Sequence, residues 1–481
     1  MQPAYDIDAI RAAEQRLLDA LPDGALMARA ATGLARVCAA LLDGVYGSRV
    51  LLLVGAGNNG GDALYAGASL ARRGARVEAL LLDDRVHVAG LAALLRAGGH
   101  RVDRIGDAGT RTDGPDLVID GILGIGGRGG LREKAVDVVR RLPDDAPVVA
   151  VDVPSGVDAS TGEVVGVAVD ADVTVTFGAM KTGLLVDPGA RHAGVVELVD
   201  IGLDLPPAEV EVLQSVDVAH LLPRADRESD KYRRGVLGVA AGSAQYTGAA
   251  VLCTGGAVRS GAGMVRYLGA EEAAGQVRAR WPEVVVGEGR VQAWAVGSGG
   301  GDDAADRFAR AARDGVPMVV DADALAALVK HRDLAVPLLL TPHAGELARL
   351  VGAERDDVEA RRLHHARSAA RDLDAVVLLK GSTTVVARPD GRVRVNPTGT
   401  PALATAGSGD VLAGLCGALL AAGLDPFDAG SVGAWLHGLA GRIAAAGGRP
   451  VAAGDVLDAI PDAFRRVRAR GGAGPLGTLG A

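Results

Sequence analysis

Residues 50–70 read VLLLVGAGNNGGDALYAGASL. This stretch opens with an unbroken apolar run that, together with Arg49, predicts a strand at residues 49–54, and such a run is typical of a strand buried on both faces of a parallel sheet. The run ends in a glycine-rich turn, and the small and apolar residues after it are typical of a helix that packs against such a strand. A buried strand, a glycine-rich loop and a helix in this order predict an α/β domain.

The same alternation continues on both sides of this stretch. Upstream, apolar residues recur at helical spacing from residue 5 to about residue 42, in two helices broken at residues 21–24. Downstream, short apolar runs predict parallel strands at residues 76–82, 116–119, 147–151 and 172–177. Residues 200–227 are rich in charge and contain a Pro-Pro pair, so we place the first domain at residues 1–212.

A second α/β series is predicted to span residues 213–470. Apolar runs indicate strands at residues 235–240, 293–296, 318–320, 337–340, 375–379 and 384–387. Helical spacing indicates helices at about residues 248–260, 303–313, 322–330, 344–350, 356–372 and 410–422. The glycine-rich tail, residues 471–481, is expected to be flexible.

Composition excludes several classes of protein. Of the 481 residues, 49% are apolar and 23% are charged, which excludes a disordered chain. The net charge is −8 and no long basic stretch occurs, so we expect no nucleic-acid partner. The three cysteines lie far apart, which indicates neither a disulfide framework nor a zinc site. No signal peptide or membrane-spanning run is recognisable, so we expect a cytoplasmic protein without a membrane partner.

The loop after the first strand has the spacing G-x-G-x-x-G at residues 55–60, which is a weak signal for dinucleotide binding. Asp62 is expected in the first turn of the next helix, where a pyrophosphate would otherwise dock, and two anions there would repel unless a cation lay between them. Asn58 and Asn59 offer carbonyl oxygens that suit such a cation. The alternative is that Asp62 only caps the helix, and this loop alone does not decide between the two.

Carboxylates also follow two later strands. Asp120 begins the loop DGILGIGGRGG, in which Arg128 is placed to meet a phosphate, and Asp152 lies with Ser155 in VDVPSGVDASTG. Ligands of open α/β sheets bind at the carboxyl ends of strands, so we expect these loops to converge on one crevice. Three aspartates interleaved with glycines and amides favour a functional site over three separate structural roles.

In the second half, the loop Ala-Gly-Ser-Gly at residues 406–409 leads into a predicted helix at Asp410. Free amides at a helix start bind anions such as a phosphoryl group. Asp410 lies beside them, so it is a candidate base for transferring a phosphoryl group to a hydroxyl. The alternative is a simple helix N-terminal charge. Lys380, one of five lysines, follows an apolar strand and precedes a glycine and three hydroxyl residues that suit a nucleotide. His343 lies in a Pro/Gly turn at another strand end.

The motifs of the first half resemble those of the NAD(P)HX epimerase (YjeF N-terminal) family. The resemblance covers about residues 5–205 and rests on VGAGNNGGD, DGILGIGGRGG, VDVPSGVDASTG and TFGAMKTGLL in that order. It implies a Rossmann-like fold that interconverts the R and S epimers of hydrated NADH and NADPH. Asp152 would be the acid/base at the reacting carbon, and potassium would be ligated by Asn59, Asp120 and Ser155. The substrate would be held by Asp152 and by two loops: Asn58, Asn59, Gly60, Gly61 and Asp62, and Gly124, Ile125, Gly126, Gly127, Arg128, Gly129 and Gly130.

The motifs of the second half resemble the ribokinase-like superfamily, and within it the ADP-dependent NAD(P)HX dehydratase (YjeF C-terminal) family. The resemblance covers about residues 216–465 and rests on AAGSAQYTGAA, GGAVRSGAGMV, DADAL, TPHAGE, LKGSTT and GSGDVLAG. It implies a ribokinase-like α/β domain in which Asp410 is the base. The hydrated cofactor would be contacted by Ala249, Gly299, His343 and Asp410, and the nucleotide by Lys380, Gly381, Ser382, Thr383, Thr384 and Gly409.

Together the two resemblances imply a bifunctional enzyme that repairs hydrated nicotinamide cofactors. The first domain would epimerise NADHX and NADPHX, and the second would dehydrate the S epimer with Mg²⁺ and ADP, giving AMP and phosphate. We expect a homo-oligomer with small-molecule substrates only. One alternative is a small-metabolite kinase with an accessory dinucleotide-binding domain, and another is that the first domain is a non-catalytic NAD(P)H sensor; Asn59, Asp120 and Asp152 favour a working epimerase over a sensor.

Overall fold

The computed structural model describes residues 1–103, 114–127, 129–224, 227–228, 230–330 and 336–470. The chain divides into an N-terminal unit, Pro3–Ala208, and a C-terminal unit, Met1–Gln2 with Glu209–Ala481. Both units alternate parallel strands with helices, which confirms the predicted α/β class. None of the described helices is long and apolar enough to cross a membrane.

The N-terminal unit is built on a parallel sheet with the strand order β4-β3-β2-β5-β6-β7-β9. The strand order reverses between β2 and β5, so the loops that follow these two strands diverge and leave a crevice at the carboxyl edge. The strands up to residue 199 are β1 (Gln2–Tyr5), β2 (Arg49–Val54), β3 (Arg76–Leu81), β4 (His100–Val102), β5 (Leu117–Gly121), β6 (Val148–Val151), β7 (Val173–Phe177), β8 (Met180–Lys181) and β9 (Val195–Val199). β1 pairs in parallel with β8.

Helices cover both faces of this sheet. Leu52 packs into one hydrophobic core with helix residue Leu64, while its neighbours Leu51 and Leu53 pack into a second core on the other face. Because successive strand residues point to opposite faces, both faces must be apolar, which explains the unbroken run at residues 50–54. The helices are α1 (Ile7–Leu18), α2 (Ala25–Leu41), α3 (Asn58–Arg72), α4 (Val88–Arg96), α5 (Glu133–Val139) and α6 (Gly189–His192), with a 3₁₀ turn at Thr182–Leu184.

The C-terminal unit contains a second sheet, in the order β13-β12-β11-β14-β15-β16-β17-β18-β19-β10. Its strands are β10 (Val210–Val212), β11 (Val236–Ala240), β12 (Met264–Tyr267), β13 (Val285–Val286), β14 (Ala293–Val296), β15 (Met318–Val320), β16 (Leu338–Leu340), β17 (Val376–Leu379), β18 (Thr384–Ala387) and β19 (Val393–Asn396). The pairs β17–β18 and β18–β19 are antiparallel, and the other pairs from β10 to β19 whose register the structure gives are parallel.

The helices of the C-terminal unit pack closely because glycines face one another's backbones. A Cβ atom added to Gly414 would lie 1.9 Å from the carbonyl oxygen of Cys253, and one added to Gly256 would lie 2.3 Å from that of Val411. The helices are α7 (Ser215–Leu221), α8 (Thr247–Arg259), α9 (Glu271–Arg280), α10 (Ala304–Ala312), α11 (Ala344–Val351), α12 (Arg355–Ala360), α13 (Arg362–Asp372), α14 (Ser408–Ala421), α15 (Pro426–Ala444) and α16 (Ala453–Arg470). Shorter 3₁₀ segments lie at Gly301–Asp303, Ala322–Lys330 and Pro401–Leu403.

Most of the strands that the sequence predicted lie within one residue of their expected bounds, whereas β1, β4, β8, β9, β10, β12, β13 and β19 were not predicted. Three of the predicted helical features differ from the structure. Residues 322–330 form a 3₁₀ helix, and the helix predicted at residues 356–372 is divided between α12 and α13 at Arg361. Helix α3 starts at Asn58, so Asp62 lies beyond the first helical turn where it was predicted. The tail at residues 471–481 lies outside the described residues.

Candidate active sites

A cavity of about 1430 Å³ lies at the carboxyl edge of the N-terminal sheet. It lies where the loops after β2, β5 and β6 converge, as the sequence predicted, and we call it the N-terminal crevice. The predicted residues that line it are Asn58, Asn59, Asp62, Gly124, Ile125, Gly126, Gly127, Gly129, Gly130 and Asp152. Gly60 and Gly61 do not line it; a Cβ atom added to Gly60 would meet the backbone of Gly55, and one added to Gly61 would meet the ring of His87. Arg128 lies outside the described residues.

Asp152 forms a buried ion pair in this crevice. Its Oδ1 atom accepts hydrogen bonds from Lys181 Nζ at 2.5 Å and from the backbone amide of Phe177 at 3.1 Å. The side chain of Lys181 is only 1% exposed, and its Nζ also donates to the carbonyl oxygen of Phe177 at 2.7 Å. Asp152 has a φ of 68°, a left-handed conformation that is uncommon outside glycine and occurs often at functional sites. The ammonium and the amide therefore hold the carboxylate in one position.

Two further carboxyl groups line the same crevice. Asp62 is buried, and its Oδ1 atom has no hydrogen-bond partner among the described residues. Burial and the charges of Asp152 and Glu14 raise the pKa of Asp62 well above its usual range. Burial, followed by the charge of Asp152, also raises the pKa of Glu14. Helix α3 has Gly57 at its N-cap, so the alternative that Asp62 caps this helix is wrong.

Asp120 and Ser155 lie next to each other below the crevice. Ser155 donates its hydroxyl to Asp120 Oδ1 at 2.7 Å and its amide to Asp120 Oδ2 at 2.8 Å. Burial raises the pKa of Asp120 to about 6, although the hydrogen bonds from Ser155 and Ile122 lower it in part. Asn59 has its amide oxygen against Gly124, and its Nδ2 atom is buried without a hydrogen-bond partner. Asp120 and Ser155, two of the three predicted potassium ligands, are thus in direct contact.

Basic side chains line the crevice near the end of β3. Asp83 follows this strand and is bonded to Arg85 Nε at 3.2 Å and to Arg132 Nη1 at 3.0 Å. The hydrogen bonds from Arg85 lower the pKa of Asp83 to about 2. Lys134 donates through Nζ to the carbonyl oxygen of Leu81, the last residue of β3, so the crevice offers positive charge for phosphate groups at this end.

In the C-terminal unit, Asp410 lies in the first turn of α14. Gly407 precedes this helix with a φ of 89°, so the chain enters the helix through a turn that suits glycine. Burial and the charge of Asp321 raise the pKa of Asp410 to about 7, against the opposing charge of Lys380. A carboxyl group that titrates near neutrality can accept a proton under physiological conditions and is a suitable general base.

Lys380 is bound within a polar cluster beside Asp410. Its Nζ donates to Asp321 Oδ1 at 2.9 Å and lies 3.6 Å from Glu346 Oε2. Asp321 also accepts from Ser298 at 2.9 Å and from Thr341 at 2.8 Å, so side chains from the ends of four strands meet here. A Cβ atom on Gly409 would lie 3.4 Å from Lys380 Nζ, which places the ammonium at the start of α14.

The predicted substrate residues Ala249, Gly299 and His343 surround this cluster. A Cβ atom on Gly299 would lie 2.6 Å from that of Ala249, so the two residues are neighbours. His343 caps α11 with Nδ1, and its Nε2 lies 3.4 Å from Glu346 Oε1. Burial lowers the pKa of His343. The backbone amide of Lys380 donates a hydrogen bond to the carbonyl oxygen of Pro342. This bond places the TPHAGE and LKGSTT motifs next to each other.

A buried arginine holds the turn after Lys380. Arg362 donates through Nη2 to the carbonyl oxygen of Lys380 at 2.8 Å, and a Cβ atom on Gly381 would lie 2.3 Å from the same nitrogen. Gly381 is therefore needed for this close approach. Thr384 is buried and donates to the carbonyl oxygen of Gly381, whereas Ser382 is exposed and Thr383 is half-buried. Of these hydroxyls, those of Ser382 and Thr383 are the better placed for a ligand.

Sequence reasoning missed several of these residues. Lys181 lies in the quoted motif TFGAMKTGLL and is one of only five lysines, so its rarity was a usable signal. Glu14 and Arg362 lie on amphipathic helices and carry no such signal. The motifs DADAL and TPHAGE contain Asp321 and Glu346, but the contact of both with Lys380 depends on tertiary structure. The described residues include no group of three or more His, Cys, Asp or Glu side chains that could hold a metal.

Comparisons with known proteins find a different family model for each half of the chain. A family model described as NAD(P)H-hydrate dehydratase matches residues 237–462, and one described as YjeF-related protein N-terminus matches residues 23–183. The bifunctional NAD(P)H-hydrate repair enzymes Nnr of Mycobacterium tuberculosis (strain H37Rv) and Mycobacterium leprae are each 49% identical to this chain. Each match covers 89% of the chain and 91% of the relative.

A solved structure matches the C-terminal unit. The ADP/ATP-dependent NAD(P)H-hydrate dehydratase from Bacillus subtilis, co-crystallised with ATP and Mg²⁺, is 29% identical with a TM-score of 0.50. The match covers 53% of this chain and 98% of the Bacillus chain. This likeness confirms the predicted ribokinase-like dehydratase fold. By similarity to the mycobacterial proteins over nearly its whole length, the chain belongs to the family of bifunctional NAD(P)H-hydrate repair enzymes.

Proposed function

We propose that the two units catalyse successive steps in the repair of hydrated NADH and NADPH. Residues 1–212 would interconvert the R and S epimers, and residues 213–470 would dehydrate the S epimer. One observation carries the proposal: each unit has a positioned carboxyl group beside a glycine-rich loop at the carboxyl end of its sheet, Asp152 in one and Asp410 in the other. The comparisons support the same pair of reactions.

In the epimerase reaction, Asp152 acts at the carbon that carries both the hydroxyl and the ring nitrogen. The nitrogen lone pair expels the hydroxyl when an acid protonates it, and water then adds to the other face of the ring. Lys181 and the amide of Phe177 hold the carboxylate of Asp152 in position through hydrogen bonds to its Oδ1 atom. The glycines at residues 124–127 let the substrate approach the backbone, and the basic residues near β3 bind its phosphates.

Potassium would be held by Asn59, Asp120 and Ser155. The described hydrogen bonds to buried Asp120 come from uncharged groups only, Ser155 and the amide of Ile122. Amide, hydroxyl and carboxylate oxygens suit a weakly hydrated monovalent ion, and such an ion would supply the positive charge that Asp120 lacks. The donor set therefore fits potassium. When bound, the ion would fix the loops that hold the substrate.

In the dehydratase reaction, Asp410 takes the proton of the substrate hydroxyl as its oxygen attacks the terminal phosphate of ADP. The new C–O–P linkage then breaks at its C–O bond, pushed by the ring nitrogen, and phosphate and AMP are the other products. Lys380 and the first amides of α14 stabilise the phosphoryl group. We propose ADP as the donor on the basis of the resemblance, while the Bacillus protein is described as ADP/ATP-dependent.

Mg²⁺ would neutralise the phosphates of the nucleotide. Ions of this kind are bound in such sites through substrate phosphates and water, with only one or two carboxylates. The described residues at Asp410 and Glu346 fit that requirement, since they offer carboxylates without forming a dedicated cage. We also propose that the enzyme acts in the cytoplasm as a homo-oligomer on NADHX and NADPHX, without nucleic-acid or membrane partners.

The deciding experiment supplies hydrated NADH and ADP to the purified full chain and follows the near-ultraviolet absorbance of NADH. Recovery of NADH with formation of AMP and phosphate is expected. A small-metabolite kinase with a sensor domain would instead release AMP or ADP only with another hydroxyl substrate, and hydrated NADH would stay unchanged. Matched assays with ATP would establish which nucleotide the enzyme prefers.

A further inference from the structure

We propose that Asp62 is a second catalytic residue of the epimerase site, which protonates the departing hydroxyl while Asp152 accepts a proton from the incoming water. This inference rests on the proposed epimerase function and replaces a single carboxyl group with a pair. Asp62 lines the same crevice as Asp152 and is 8% exposed. Its Oδ1 atom is buried without a hydrogen-bond partner among the described residues.

The two carboxyl groups differ in what surrounds them. Asp152 Oδ1 is bound to the ammonium of Lys181 and to a backbone amide, both of which stabilise negative charge. Asp62 has no such partners, and burial together with the charges of Asp152 and Glu14 raises its pKa well above the usual range. A buried, unpaired carboxyl group is favoured in its neutral form. The crevice therefore holds one proton donor and one proton acceptor.

The proposed step balances in atoms and charge. The Asp62 carboxyl gives its proton to the hydroxyl, the C–O bond breaks, and water leaves while the ring nitrogen shares its lone pair to form an iminium ion. A second water adds to the opposite face of that carbon, and Asp152 takes its proton. Asp62 is then ionised and Asp152 is neutral, and exchange of one proton through solvent restores the starting state.

The other charged groups near Asp62 do not provide the same chemistry. Glu14 is half-buried on α1. Burial and the charge of Asp152 raise its pKa, but the positive charges of Lys181 and Arg11 oppose that rise. Lys181 is already bound to Asp152 and Phe177, and Arg11 donates to the carbonyl oxygen of Ile125. Of Glu14 and Asp62, two carboxyl groups with a raised pKa, Asp62 is the one whose rise no nearby positive charge of the described residues opposes.

The test compares Asp62→Asn and Glu14→Gln in the full chain. Asp62→Asn is expected to lower kcat for epimerisation by about 10²–10⁴-fold, with a much smaller change in KM, because an amide cannot donate this proton. Dehydration of pure S hydrate in the same preparation should stay at the wild-type rate, which controls for folding. Glu14→Gln should lower kcat for epimerisation by less than about tenfold. Equal or greater loss in Glu14→Gln, with wild-type kcat in Asp62→Asn, would assign the acid to Glu14 and overturn the proposal.

Two further readouts separate a catalytic from a structural role. Wild-type epimerisation in oxygen-18 water should label the product hydroxyl, and Asp62→Asn should lose labelling and epimerisation together. A general acid must be protonated, so wild-type kcat should fall as pH rises through the raised pKa of Asp62, and this alkaline limb should disappear in Asp62→Asn. An unlabelled product or an unchanged alkaline limb would overturn the inference, whereas a wild-type enzyme without epimerase activity would instead overturn the proposed function.

Discussion

Replacing Lys181 with methionine removes the positive charge from a buried ion pair at the epimerase site. The side chain of Lys181 is 1% exposed and that of Asp152 is 10% exposed, so water cannot take over the lost contact. Methionine has a similar length and needs no hydrogen bond, which keeps the packing change small. The variant therefore leaves Asp152 and the carbonyl oxygen of Phe177 without their ammonium partner.

The expected loss is large because one buried charge remains uncompensated. Removing one partner of a buried ion pair usually costs about 3–5 kcal/mol in the free energy of unfolding. The remaining hydrogen bonds to Asp152 from Phe177 and Thr176 offset part of this loss. We therefore expect the free energy of unfolding of the N-terminal unit to fall by about 3 kcal/mol. Epimerisation should also fall, since the carboxylate loses the group that orients it.

The assay is hydrogen exchange followed by mass spectrometry on the full chain. Peptides from β6 and β7 report opening of the N-terminal unit, and peptides from α14 serve as the internal control. The double variant Asp152→Asn/Lys181→Met removes both charges and should recover most of the lost protection. Unchanged protection of β6 and β7 in Lys181→Met, or a double variant as unstable as the single one, would refute the reasoning.

Three further predictions concern catalysis. Asp410→Asn should lower dehydration by about 10²–10⁴-fold and leave epimerisation intact, because an amide cannot accept the hydroxyl proton; wild-type dehydration would remove Asp410 from the role of base. Wild-type dehydration should rise with pH through about 7, since Asp410 must be ionised to act as base, and a flat profile across neutrality would contradict this. Exchanging potassium for a large organic cation should slow epimerisation but not the chemistry at Asp410, and an equal epimerisation rate in both salts would argue against a site at Asn59, Asp120 and Ser155.

Strands buried on both faces were the most predictable part of the fold. Strand β2 has apolar side chains on each face because helices cover both sides of the sheet, and its bounds, Arg49–Val54, match the predicted residues 49–54. Strand β9 (VVELV) was missed because it lies at the sheet edge and Glu197 interrupts its apolar run. The antiparallel direction of β18 depends on its pairing with β17 and β19, which local sequence does not specify.

For the sites, the sequence predicted which loops meet but not how their charges pair. Asp152, Asp62 and the glycine loop line one crevice because all follow strand ends at one sheet edge. The contact of Lys181 with Asp152 joins residues 29 positions apart across a fold that must form first. In the same way, Lys380 was predicted as a nucleotide ligand, and its pairing with Asp321, 59 positions away, is visible only in the structure.

The central claim is that the two units act in sequence. The most direct test is to supply the enzyme with pure R hydrate of NADH and the nucleotide and to measure the recovery of NADH. Full-length wild-type enzyme should restore all of it to NADH in one fast phase. Asp152→Ala should restore S hydrate at the wild-type rate but R hydrate only as fast as it interconverts spontaneously. Equally fast repair of R hydrate by Asp152→Ala, or no repair of R hydrate by the wild-type chain, would contradict the claim.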